Sequence, residues 1–349
     1  MRYTNNFRNH NNNNVRTIAE IGQAHDGSLG LAHSYLDALK NTGVTDIKFQ
    51  IHIADAESSE KEKFRKKFSY EDKTRFDYWK RIEFTKEQWQ GLFKHCKQNK
   101  FNFVASPFSV EAVNLLKNIG CKTFKIASGE VNNYLMIDNI VKQKKEIILS
   151  SGLSNFKELD KTVDRIKKNK INLSILQCTS EYPSSFKSIG LNVISDMKKR
   201  YNVPIGLSDH SGEANTLLAA TAVGSELIEF HVTFSKKSFG PDSTSSIEIS
   251  KVNELIEGIK YVHNCIKYKV NKKNFKINKN VKTIFSKSLA VNKDLLKNHK
   301  IKVKDLESKK PGTFGIEAKE YEKVIGKRLK KNLKKNSFLL NFPFSCQFV

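Results

Sequence analysis

The sequence is poor in cysteine and proline, and no stretch of it is long and apolar enough to lie in a membrane. Its five cysteines (Cys96, Cys121, Cys178, Cys265 and Cys346) are odd in number, widely spread and form no C-x-x-C pair. That spacing excludes a disulfide framework and a zinc ribbon, and reads as reduced, mostly structural thiols. With 6 prolines in 349 residues, 38% apolar and 28% charged residues, the chain is globular rather than disordered or collagen-like. An apolar run of about 18 residues is lacking, and the opening MRYTNNFRNHNNNN has no apolar core for secretion. A soluble, cytoplasmic protein of about two domains is expected, without a membrane partner.

Acidic residues are also scarce: 61 Lys and Arg stand against 36 Asp and Glu, a net charge of +25. The excess is uneven, because residues 266–349 hold 23 basic and 6 acidic residues, leaving +8 for the rest. These lysines sit among asparagines and isoleucines, a mixture that AT-rich coding produces by itself, so no nucleic-acid partner is expected. A basic nucleic-acid-binding module in 266–349 is the alternative, with Phe275, Phe285 and Phe314 as its stacking residues.

Eight short β-rich runs are present: 16–22, 46–51, 102–108, 123–128, 146–151, 173–179, 205–210 and 227–233. Helical segments separate them. Leu31, Tyr35 and Leu39 share a face before Gly43, Ser109 caps a segment ending at Gly120, and Ser154 opens one striped by Phe156, Leu159, Val163 and Ile166. Eight βα units in about 250 residues predict a (β/α)8 TIM barrel over 15–266, after an Asn-rich tail at 1–14. A Lys/Asn-rich linker follows at 267–282, then a small, mostly β domain at 283–349 containing Lys309-Lys310-Pro311-Gly312. The long connection between the second and third strands, charged over 57–75 and carrying Phe76, Tyr78 and Trp79, reads as a lid or binding element.

In such a barrel the C-terminal strand ends carry the chemistry, and here they are polar. In order they hold Glu20; Lys48 and Gln50; Ser106; Lys125, Ser128 and Glu130; Ser150 and Ser151; Thr179 and Ser180; Ser208 and His210; Glu229 and His231. A lysine inside an apolar β-run needs a counter-charge. Each could be a structural ion pair to a neighbouring glutamate, and one desolvated lysine would suit a Schiff-base aldolase. Two lysines ringed by serines read best as a phosphate or carboxylate clamp. His210 and His231 end consecutive strands and could converge on an exchangeable Mn2+ or Mg2+, or simply make hydrogen bonds. His10, His33, His52, His95, His263 and His299 are scattered and read as packing or surface residues, while His25 lies better placed, after the first strand.

The motifs IAEIGQAHDGSLG, IKFQ, ASPF, KIASGE, ILSSG, QCTSEYP, PIGLSDH and EFHVTF follow one another as in the sialic acid synthase family. The segments SLAVNKDL, KVKDLESKKPGTFGI and VIGKRLKKNLKKNSFL resemble the antifreeze-like (SAF) domain appended to that family. The resemblance covers about 15–340. It implies metal-dependent condensation of phosphoenolpyruvate with an N-acetylated hexosamine, giving a nine-carbon 2-keto acid (sialic acid or another nonulosonate) and phosphate.

Carried over, the resemblance gives Lys48, Ser106, Lys125, Ser128, Ser150 and Ser208 to phosphoenolpyruvate, with Ser180 at a further polar position of that subsite. His210 and His231 then hold the metal, and Glu20 and Glu130 are the carboxylates able to place water, Glu20 also orienting sugar hydroxyls. Gln50, Tyr182 and Asp242 match sugar positions. The family's SAF domain reaches across a domain-swapped homodimer with an arginine, where this chain has Lys310. That change, and Gln23-Ala24-His25 where the family commonly has asparagine before the histidine, both fall at the sugar end, which opens the reading to a legionaminic-type diacetamido sugar. A rival within the same chemistry is a keto-sugar synthase acting on phosphorylated aldoses, with Arg75 or Arg81 as its second phosphate clamp.

Overall fold

The computed structural model describes residues 14–64, 68–274 and 276–340. Residues 1–13, Phe275, the apolar end 341–344 and Cys346 lie outside the described residues. The chain divides into two compact units between Lys269 and Val270.

In the first unit eight parallel strands pair in sequence order, and the first closes on the eighth. They are β1 (Arg16–Gly22), β2 (Asp46–Ile51), β3 (Asn102–Pro107), β4 (Thr123–Ile126), β5 (Glu146–Ser150), β6 (Leu173–Cys178), β7 (Ile205–Asp209) and β8 (Leu227–Thr233). A two-residue β9 (Ile247–Glu248) adds to β8 beyond the barrel. Strands β3 to β7 stop one or two residues before the sequence runs end, because the chain there already bends into the site loops. After β4, for example, Ser128–Glu130 form a 3-10 turn.

Helix punctuation follows local chemistry. Ser109 accepts from the Ala112 amide at 3.1 Å, and Gly120 ends that helix at φ 84°, which only glycine adopts without strain. The helix expected to start at Ser154 is capped instead by Asn155, which accepts from the Glu158 amide while Glu158 accepts from the Asn155 amide. This reciprocal pair satisfies two helix-end donors, which Ser154 does not match. Of that helix's expected stripe, Leu159, Val163 and Ile166 are buried and Phe156 is exposed.

The barrel interior is layered. At the N-terminal strand ends Arg16 donates to Asp46 at 2.9 Å and to Glu146 at 2.6 Å, a partly buried ionic plug. Above it Ile18, Val104, Ile148, Leu176 and Leu227 form an apolar layer. Side chains two residues further along a strand point the same way. The next layer is therefore Glu20, Ser106, Ser150, Cys178 and Glu229. Stability sits at one end of the barrel and chemistry at the other.

The second unit pairs β10 (Ser288–Val291) with β11 (Leu306–Lys309) antiparallel, around a core of Leu289, Val291, Leu295, Ile301, Leu329, Leu333 and Leu339. Within 267–282, read as a linker, a helix begins at Lys279 and runs to Phe285, capped by Asn278 and burying none of its residues.

Candidate active site

The polar layer floors a cavity of about 560 Å3. Lys125 Nζ lies 2.9 Å from Glu229 Oε1, and Lys48 pairs with Glu20 while standing 3.5 Å from Glu229. The Ser208 hydroxyl donates to the same Glu229 oxygen at 2.9 Å. Each lysine thus has the counter-charge its burial requires, and both still line the cavity with Ser106, Ser128, Ser150, Ser180 and Ser208. The Ser106 and Ser150 hydroxyls are buried with no hydrogen-bond partner among the described residues. A buried hydroxyl left in this state needs a ligand oxygen or water. Gly152 keeps the serines close: a Cβ there would lie 2.7 Å from Ser180 Oγ and 2.8 Å from Ser128 Oγ.

Electrostatics follow from this packing. Burial, with Lys125 beside it, pushes Lys48 down to about 7 despite the pull of Glu229. Burial would raise Glu229, but Lys125 and Lys48 outweigh it and hold the carboxylate far below its usual range. Glu130 lines the cavity with its pKa raised by burial, its carboxylate accepting from Asn133 at 2.7 Å. Glu20, expected to meet the sugar, is fully buried behind Lys48 and Gln50. It reaches the cavity through those two side chains.

The outer wall comes from the long connection and neighbouring loops. His52 stacks between Trp79 (ring centroids 3.7 Å apart) and Phe108 (4.5 Å). Arg75 lies over the Trp79 ring at 4.1 Å with Glu62 3.8 Å away, and Trp79 donates to Glu62 at 2.9 Å. Arg81 is bound to Asp72 and Asp26, each at 3.0 Å, and pins this segment to the loop after β1. Those carboxylates leave Arg81 poorly suited to clamping a phosphate. Asp242 and Tyr182 complete the rim. His25 belongs to the core instead, stacked on Phe84 at 4.6 Å.

His210 and His231 adjoin, with ring centroids 5.3 Å apart, and Tyr182 stacks on His210 at 4.0 Å. Burial pushes His231 down to about 3, so its ring is neutral and keeps a nitrogen lone pair. His210 Nδ1 donates to the Thr179 carbonyl at 2.8 Å, which leaves Nε2 to act as a ligand. Burial opposes the charged form of His210, yet Cys178 and the Thr179 carbonyl outweigh it and raise its pKa. No group of three or more His, Cys, Asp or Glu among the described residues is arranged to hold a metal. Two adjoining imidazoles with available nitrogens could hold an ion only together with ligands from outside the protein.

A family model described as the NeuB family matches residues 35–271, and a SAF domain model matches 286–341. The first spans well over half the chain. The chain belongs to the NeuB family. It is 31% identical over 328 residues to N,N'-diacetyllegionaminic acid synthase of Campylobacter jejuni, covering 92% of this chain and 98% of that one. Pseudaminic acid synthase of the same species is 30% identical, covering 92% and 94%. Among solved structures, the sialic acid synthetase of Leptospira borgpetersenii in complex with citrate superposes with TM-score 0.68 at 29% identity, covering 77% and 90%.

Of the site residues expected from the sequence, this NeuB-family barrel brings all but two to one cavity: Glu20 lies behind it, and Lys310 belongs to the second unit, its Nζ 4.9 Å from the Phe285 ring centre. Several cavity residues had been given no role there. Glu229 was noted at its strand end, yet it is the hub joining both lysines. His52, read as packing, and Glu57, Glu62 and Phe108 also line the wall. Lys48, Gln50 and His52 are spaced by two, so carrying the inward face of β2 one step past Ile51 would have found His52.

Proposed function

We propose that the protein condenses phosphoenolpyruvate with an acetamido sugar to give a nine-carbon 2-keto acid and inorganic phosphate, with help from Mn2+ or Mg2+. The observation that carries this is the paired-lysine floor: two buried ammonium groups amid five serine hydroxyls, two of them without a protein partner. Phosphoenolpyruvate carries a phosphate and a carboxylate, and a cationic, hydroxyl-lined cradle binds both through charge-assisted hydrogen bonds. The names and near full-length coverage of the Campylobacter relatives support the same chemistry.

In this reading Lys48, Lys125, Ser106, Ser128, Ser150, Ser180 and Ser208 hold phosphoenolpyruvate. Gln50, Tyr182 and Asp242 orient the open-chain sugar, and His210 with His231 would hold the ion. When bound, the ion supplies Lewis-acid polarisation of the sugar's aldehyde oxygen. The enol carbon attacks the aldehyde carbon, water adds at C2, and phosphate departs by C–O cleavage. Glu130, half-buried with a raised pKa, suits proton transfer at that water. Glu20 steers the sugar through Gln50 and Lys48. The aromatic wall of His52, Trp79 and Phe108 favours a sugar with extra methyl groups, a 2,4-diacetamido-2,4,6-trideoxy hexose, over N-acetylmannosamine. We further assign the chain to a domain-swapped homodimer in which Lys310 meets the N-acyl group, a state sedimentation velocity would test.

The deciding experiment is phosphate release from phosphoenolpyruvate with Mn2+, comparing those two sugars with chelator controls and mass analysis of the keto acid. Preference for the diacetamido sugar supports the whole reading, and preference for N-acetylmannosamine overturns only the sugar choice. Release with neither overturns the function.

A further inference from the structure

A hydrogen-bonded chain runs from the insertion to the barrel floor, and the chemistry above leaves its outer half without a task. The Glu57 carboxyl meets His52 Nδ1 at 2.6 Å, and His52 Nε2 meets Gln50 Oε1 at 3.2 Å. Gln50 Nε2 donates to Glu20 Oε1 at 3.4 Å, and Gln23 also donates to Gln50 Oε1, at 3.3 Å. The His52 ring cannot swing away, being clamped between Trp79 and Phe108. His52 is 5% exposed and lines the cavity together with Gln50 and Glu57.

Proton placement gives the chain a direction. Gln50 Oε1 can only accept, so His52 Nε2 must carry a hydrogen. His52 Nδ1 and Glu57 then share one proton, whether written as carboxyl and neutral ring or as carboxylate and imidazolium. Burial pushes Glu57 up to about 8 and His52 down to about 3. The facing groups are Glu62, Glu83 and Arg75 from the insertion, with Asp242, Glu130 and His25 from the barrel side. Loss of the shared proton leaves His52 a single hydrogen, which the Glu57 carboxylate draws to Nδ1. Nε2 then faces Gln50 Oε1 as acceptor against acceptor, and the hydrogen bond that holds the amide from the wall side is lost. The amide, held then only by Glu20 and Gln23, would no longer present one fixed face to the sugar.

We propose that His52 and Glu57 are positioning residues that lock the Gln50 amide in one orientation, oxygen toward His52 and NH2 toward Glu20. The inference rests on the acetamido-sugar reading and deepens it. The lock acts on the sugar half of the cavity, since the hydrogen bonds of His52 and Glu57 go to each other and to Gln50 rather than to the lysines and serines of the floor.

The test combines steady-state kinetics from about pH 6 to about pH 9.5 with 15N spectra of histidine-labelled protein, in which His52→Phe identifies the His52 signals. His52→Phe keeps the stack and removes both nitrogens, and should raise the sugar KM about tenfold while the phosphoenolpyruvate KM holds. In the wild type the sugar KM should climb above pH 8, because burial pushes Glu57 up to about 8. Glu57→Gln, whose amide still donates to Nδ1, should stay within about threefold at pH 7 and lose that climb. The 15N spectra should show Nε2 protonated at pH 7 and Nδ1 protonated at high pH.

An unchanged sugar KM and pH profile in His52→Phe, or a Nδ1-protonated ring at pH 7, overturns the proposal. If His52→Phe does not fold, Glu57→Gln and the wild-type spectra still decide it. Absence of turnover with either sugar, alongside the expected tautomers, sinks the function and leaves the relay standing.

Discussion

The floor and the outer wall of the cavity are built on different principles. The floor is strand: Glu20, Lys48, Ser106, Lys125, Ser150, Ser208 and Glu229 project from the inward face of the barrel, and each lysine is paired with a glutamate there. The wall is insertion: Glu57, Glu62, Arg75 and Trp79 come from one long connection and fold back on His52. A rigid charged floor suits a substrate fragment common to every turnover. An aromatic wall assembled on a loop can change without disturbing the barrel, which is where selectivity between sugars is cheapest to alter.

The most severe test of that division removes one of the two histidines proposed to hold the ion at the floor's edge. His231→Ala should cut metal-stimulated turnover on the order of a thousandfold and abolish Mn2+ binding by calorimetry, with the circular dichroism unchanged. Retained Mn2+ binding would move the ion elsewhere. Next in size, Lys125→Met strips Glu229 of its closest cation. It should raise the phosphoenolpyruvate KM about a hundredfold and lower unfolding free energy by about 3 kcal/mol. A larger effect on the sugar KM than on the phosphoenolpyruvate KM would break the comparison.

Trp79→Ala should do the opposite, raising the sugar KM about tenfold through lost stacking while sparing phosphoenolpyruvate. A smaller effect comes from pH. Lys48 titrates near 7 in the free protein, and an anionic ligand favours its charged form. Binding is therefore tighter below pH 7, and the phosphoenolpyruvate KM should rise several-fold toward about pH 9. A flat profile would mean that Lys48 stays charged throughout. Arg165→Ala, which removes an exposed pair with Asp138 on the outer helices, should leave both KM values and the melting temperature where they are.

Much of the floor was readable before folding because strand periodicity is local. Ile18 and Glu20, Val104 and Ser106, or Ile148 and Ser150 stand two apart, so an apolar layer under a polar one follows from alternation. Residues 16–22 and 227–233 were bounded correctly from their apolar runs alone. The Asn155 cap was misread as Ser154 because two neighbouring residues both cap well, and only the Glu158 partner chooses between them. His52 was missed because it stands one residue past β2, and Glu57 because a glutamate in a charged loop looks solvated until an aromatic cluster closes over it.

By itself the sequence determined the barrel, its polar end, the separate C-terminal domain and the family, since period, motif order and composition are all local properties of the chain. Only the tertiary structure decided which charges meet. Lys125 and Glu229 lie 104 residues apart and pair because β4 and β8 face each other across the barrel. Glu20 is withdrawn behind Lys48, and Glu57 reaches His52 because the insertion packs its aromatics inward and carries its carboxylates with them. Burial then set the protonation of Lys48, Glu57 and His52, since the cost of removing a charge from water depends on what surrounds it in space.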